Sequence, residues 1–235
     1  MAKDWQLSGR TALVTGCENV LGAAIANALA AEGVKVTKVA NDAKAGDIAV
    51  DYAKEGAAAD VAKQAGAVDI LVNATSGLRD AISTPVDINP KDWQSEMRTE
   101  FVFPRELTHE VVKGMIKNEW GRVVNLVGSS EPLDFGIEYA ASGALQGWSK
   151  GLSRGIGKHG ITVNCVQPGV INGTEAAKTH PRIDTVQTEE PVIAFGEPGE
   201  PEDVAHAVVY LCTPFANYIS GIVLPVDGGL ARHQH

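Results

Sequence analysis

Short apolar runs alternate with longer amphipathic or alanine-rich stretches along the whole 235-residue chain. Apolar runs at 10–16 (RTALVTG), 34–40, 48–51, 68–74, 121–128, 160–169 and 222–229 are bounded by Gly, Asp or Asn. Near-continuous apolar runs of about 4–8 residues suit strands buried on both faces. Between them, residues 20–33 have helical composition with a stop at Gly33, and 53–65, 92–118, 139–158 and 201–213 also read as helices. Strand–helix alternation of this kind predicts an α/β fold, a parallel sheet flanked by helices on both faces. Neither an internal repeat nor a linker interrupts the pattern, so one domain over 1–235 is expected. The longest irregular stretch, 170–200, is acidic and punctuated by Pro and Gly. A lid or binding loop is expected of it, with a disordered segment as the alternative.

The helix at 139–158 carries glycine at 143, 147, 151 and 155. Each glycine costs about 0.8–1 kcal/mol of helix propensity relative to alanine. A ridge of such residues lets a second helix approach closely, whether from another subunit or from the chain's own core. Charge and cysteine content narrow the choice of function. A net charge of −9 argues against nucleic acid, which needs a basic face. The three cysteines and six histidines lack metal-ligand spacing, so no metal is expected, and a reducing cytoplasm fits best. No apolar run approaches the ~18–20 residues needed to cross a bilayer.

Taken in order, several motifs resemble those of the short-chain dehydrogenase/reductases. They are ALVTG at 12–16 with Gly22, DILVNA at 69–74, GRVVN at 121–125, Tyr139 with Ser142, GITVNCVQPG at 160–169 and YISGIVLPVDGG at 218–229. The resemblance covers nearly the whole chain. It implies a single Rossmann-type doubly wound parallel sheet, an NAD(P) cofactor and a two- or four-subunit assembly. Gly16, Gly22, Asp51 and Asn73 stand at family cofactor positions, and Tyr139 with Ser129 at catalytic ones.

Other family positions differ. The middle glycine of the dinucleotide loop is Val20, and Glu18 places a carboxylate in the same loop. About ten residues separate Ala40 from Asp51, too few for the helix of the family, so a turn is expected there. Glu100, Gly128 and Gly143 stand where the resemblance puts Asn, Ser and Lys. A tyrosine near its ordinary pKa of ~10 is about 0.1% ionised at neutral pH. Without a neighbouring cation it is a poor general base. Lys150 is a full ~16 Å further along the helix and cannot substitute.

These departures lead to the expectation of a non-catalytic subunit that binds no cofactor tightly. It would assemble with an active paralogue, such as a dehydrogenase of 3-hydroxyacyl-CoA-type compounds, through helices 92–118 and 139–158 and the C-terminal strand; self-association is the other possibility. Two alternative readings stay open. One is an active NAD(P)-dependent alcohol dehydrogenase or ketone reductase using Tyr139. The other is a cofactor-independent or ligand-sensing derivative.

Overall fold

The computed structural model describes residues 4–75, 89–128, 137–174, 177 and 193–231. Seven of the predicted apolar runs form strands: β1 (Thr11–Val14), β2 (Lys35–Ala40), β3 (Ile48–Ala49), β4 (Ile70–Asn73), β5 (Gly121–Leu126), β6 (Ile161–Pro168) and β7 (Val223–Val226). All pair in parallel, in the order β3-β2-β1-β4-β5-β6-β7. The chain runs outward in one direction from β1 and in the other from β4. The crevice between their C-terminal ends is therefore the topological switch point, where ligands bind in open α/β sheets.

Helices cover both faces: α1 (Val20–Ala31) and α6 (Pro201–Cys212) on one, α2 (Ala57–Ala65), α4 (Phe103–Lys117) and α5 (Ile137–Ile156) on the other. Alternate strand residues serve the two layers. Val14, Val72, Val124 and Val166 meet Ile25, Leu29, Val204 and Val208. Leu13, Leu71, Val123 and Val163 meet Val61, Leu107, Met115 and Ile156. Burial on both faces explains why these strands show no polar alternation.

Three departures from the predicted elements have local causes. The stretch expected as one helix over 92–118 is α3 (Pro90–Met97), a π-helical turn (Arg98–Val102) and α4. Pro104 has no N–H for the carbonyl of Glu100, and its ring displaces that carbonyl, so the backbone widens. The helix expected from residue 53 starts at Ala57, after Gly56 in the left-handed region (φ 79°). Between β2 and β3 the chain makes a turn. Its Asp47 carboxylate accepts from Lys38 N (2.8 Å) and its Asp42 carboxylate from Lys44 N (2.9 Å). Just beyond β3, Tyr52 is 4% exposed and stands edge-on to Phe103 at 5.0 Å between ring centres.

On α5 the sheet-facing residues are Ile137, Ala141, Ser142, Leu145, Ser149, Ser153 and Ile156. The glycines at 143, 147, 151 and 155 are exposed, and a Cβ on any of them would meet nothing within 4 Å. The ridge does not pack against the chain's own sheet. Most of the acidic stretch 170–200 lies outside the described residues.

Candidate functional site

At the switch point the loop from β1 to α1 is drawn tight by two glycines. Gly16 has φ 71°, and a Cβ there would stand 2.0 Å from the Ala74 carbonyl oxygen; one on Gly22 would stand 2.2 Å from the Gly16 carbonyl oxygen. Neither position tolerates a side chain without moving backbone. Asn19 caps α1: its Oδ1 accepts from Gly22 N at 2.8 Å while its Nδ2 donates to Ala74 O at 2.9 Å. Ala74 N in turn donates to Thr15 Oγ1 at 3.2 Å. The loop is thus tied to the end of β4, with the N-terminus of α1 opening on the crevice. Backbone N–H groups and helix dipole make such an end receptive to phosphate.

Glu18 turns inward. Its Oε2 lies 3.2 Å from the Tyr52 hydroxyl, which also lies 3.2 Å from Val39 O and accepts from Gly16 N at 2.9 Å. A tyrosine hydroxyl has one proton. Glu18 Oε2 and Val39 O, which also accepts from Cys17 N, are both within reach of it. Burial raises the Glu18 carboxyl above its ordinary range, opposed by hydrogen bonds from its own backbone, Tyr52 and the Asn41 backbone. Its Oε1 is buried and has no hydrogen-bond partner. The Tyr52 hydroxyl is also pushed well up, first by burial and then by the Glu18 charge.

Val20 opens α1 and stands 37% exposed, its Cγ1 3.3 Å from where a Cβ on Gly173 would lie. It narrows the mouth between the glycine loop and the segment after β6 without entering the core. Val20→Gly is expected to tighten dinucleotide binding about tenfold, ~1.4 kcal/mol. Titration of protein fluorescence checks it, and an unchanged affinity would show that the branched side chain is harmless.

Asn73 does not face the crevice. It is 1% exposed, and its Nδ2 donates to Asn125 Oδ1 (2.7 Å) and Thr108 Oγ1 (3.2 Å). Asn125 Nδ2 continues to Ser149 Oγ at 2.9 Å. This buried chain sets α5 against the sheet. Asp51 is exposed and accepts from Ala53 N at 3.0 Å.

Tyr139 lies half-buried in the first turn of α5, with exposed Gly143 one turn on. Glu100, 3% exposed, belongs to the π-helical turn that packs against α5. Gly128 N donates to Ser142 Oγ at 2.8 Å, tying the end of β5 to α5. Ser129 lies outside the described residues. Lys150 is engaged far from the tyrosine, its Nζ donating to Gly221 O at 2.9 Å. Burial pushes the thiols of Cys17, Cys165 and Cys212 up to about 12, 11 and 12, which removes them as nucleophiles. Among the described residues no cluster could hold a metal ion, and no helix is long and apolar enough to cross a membrane.

Sequence reasoning missed Tyr52 and the Gly128–Ser142 bond. For Tyr52 a signal was present: an aromatic residue directly after Asp51, at the end of a crossover too short for its helix.

Comparison with known proteins widens this picture. The sequence profile described as Enoyl-(Acyl carrier protein) reductase matches residues 16–231. A 3-oxoacyl-[acyl-carrier-protein] reductase of Vibrio cholerae is 31% identical, over 95% of this chain and 98% of that one. An acetoacetyl-CoA reductase of Rhizobium meliloti is 33% identical, over 94% and 98%. Among solved structures, a blue fluorescent protein from a metagenomic library in complex with NADPH superposes with a TM-score of 0.83 at 26% identity, covering 96% and 99%.

Two expectations are thereby corrected. The non-catalytic subunit gives way, because full-length relatives at this identity are named as reductases. The absence of tight cofactor binding gives way, because a chain of the same fold holds NADPH. The physical reason lies in the loop. Gly16 and Gly22 are in place, Val20 stands at the mouth rather than in the core, and Glu18 is folded against Tyr52.

Proposed function

The chain belongs to the short-chain dehydrogenase/reductase family, and on that premise we propose that it is an NAD(P)-dependent reductase of ketones, with 3-oxoacyl thioesters as the substrate class. The observation that carries the reading is the glycine-tightened loop at the switch point, in a chain whose full-length relatives are named for 3-oxoacyl and acetoacetyl thioesters.

Gly16, Gly22 and the N-terminus of α1 hold the dinucleotide diphosphate, with Asp51 bordering the adenosine end. A reduced nicotinamide held there would supply a hydride to the carbonyl carbon. Tyr139 donates a hydrogen bond and then a proton to the carbonyl oxygen, while Ser129 helps hold that oxygen. Carbon gains the hydride, oxygen gains the proton, and the product is the 3-hydroxy thioester.

Gly143 belongs to the same reading. Reduction requires an acid, and a tyrosine in its ordinary range is protonated at neutral pH. Giving up that proton leaves a phenolate, which a neighbouring cation would stabilise and make more populated at neutral pH. Gly143→Lys, which meets no steric obstacle at its Cβ, is expected to raise oxidative kcat at neutral pH about tenfold, the effect of lowering the tyrosine pKa by about one unit. A rate unchanged by the lysine would show that ionisation of Tyr139 does not limit oxidation.

The test of the proposal is consumption of NADH or NADPH by purified protein given acetoacetyl-CoA or a carrier-protein-bound 3-oxoacyl thioester. Ketone-dependent loss of reduced-nicotinamide absorbance supports it. Cofactor binding without turnover on any 3-oxoacyl thioester would remove the substrate class.

A further inference from the structure

The acid that usually accepts from the adenosine ribose in a doubly wound fold stands at the end of the second strand, about 20 residues after the glycine loop. Here β2 ends at Ala40 and is followed by Asn41; the next residue, Asp42, folds back to accept from Lys44 N at 2.9 Å. A carboxylate nevertheless reaches that place from the glycine loop. The Glu18 side chain lies against the backbone of Asn41 and is anchored by the Tyr52 hydroxyl, which itself lies against Val39 O at the end of β2.

We propose that Glu18 takes over the role of ribose selector, so that the protein prefers NADH to NADPH. The proposal rests on the reductase reading of the same site. It departs from the solved relative, which is complexed with NADPH.

Three features carry it. First, Glu18 is fixed rather than free. The Tyr52 hydroxyl is tied to Gly16 N at 2.9 Å, and this holds the carboxylate at the junction of loop and strand. Second, Glu18 Oε1 is buried without a partner. An unpaired buried acceptor is destabilising until a donor reaches it. A ribose hydroxyl is such a donor, and the Glu18 side chain is only half-buried. A ribose phosphate has no comparable donor and brings two negative charges toward the carboxylate. Third, of the two lysines on β2 the one nearer its end is already engaged: Lys38 Nζ donates to Asn27 Oδ1 at 3.1 Å on α1. It is not held ready for a 2′-phosphate.

The test is direct titration of NADH and NADPH against the wild-type protein and Glu18→Gln, by quenching of protein fluorescence, with thermal melts confirming that both proteins are folded. The wild type is expected to bind NADH at least tenfold more tightly than NADPH. In E18Q the NADPH affinity is expected to rise about tenfold, closing the gap. A wild-type preference for NADPH overturns the inference and leaves the reductase reading standing. So does a preference for NADH that E18Q does not change. Binding of neither dinucleotide by the wild type overturns both. The wild-type ratio decides even where E18Q melts early.

Discussion

Tyr139→Phe is expected to lower kcat for ketone reduction by about 10²–10⁴, the range associated with loss of a positioned proton donor. The substitution removes one oxygen from a half-buried side chain in the first turn of α5 and keeps the ring itself. Dinucleotide affinity should therefore stay within a factor of about two, well under the ~1.4 kcal/mol of a tenfold change. A drop in kcat with an unchanged dissociation constant distinguishes a proton donor from a tyrosine retained for helix packing. Equal rates for Y139F and wild type would show that the proton comes from elsewhere. The buried Glu100, in the π-helical turn against α5, would then be the first group to examine.

Gly22→Ala is expected to weaken dinucleotide binding by at least about tenfold, ~1.4 kcal/mol. The methyl group would stand 2.2 Å from Gly16 O, 2.6 Å from Gly16 C and 3.0 Å from Cys17 N, all backbone atoms. No rotamer change relieves this. The loop must lift from α1, breaking the Asn19 cap at Gly22 N. Overpacking of this kind also costs about 1–3 kcal/mol of stability. For a chain of this size that is a fall of roughly 2–4 °C in Tm per kcal/mol. Calorimetry at a temperature well below the lowered Tm separates the two effects. Retained affinity in a folded G22A protein would place the dinucleotide outside this loop.

The fold was legible because it depends on local pattern. Buried parallel strands are apolar throughout, so β1, β4, β5 and β6 stand out of the chain, and only their ends were drawn too long. The turn after β2 was also legible, because ten residues cannot hold a helix and its loops. The π-helical turn was not, although Pro104 marks it. A proline's effect on the carbonyl four residues earlier depends on how far the neighbouring helix can yield.

The candidate site was harder to read, because its departures from the family pattern are compensated by distant residues. Glu18 reads as a charge thrust into a phosphate cradle. Its partner, Tyr52, is 34 residues away and meets it only once β1, β2 and the crossover are assembled. Asn73 reads as a cofactor contact, yet it is a buried link between β4 and β5 whose partner Asn125 is 52 residues away. Gly143 reads as a lost catalytic group. Lys150 does not replace it, because its Nζ is held by Gly221 O at 2.9 Å.

Transfer of label from reduced nicotinamide deuterated at both C4 positions to acetoacetyl-CoA tests the central claim most directly. The account predicts 3-hydroxybutyryl-CoA heavier by one mass unit at C3, formed by the wild-type protein and suppressed in Y139F. Unlabelled product, or none from a protein saturated with both ligands, would contradict it.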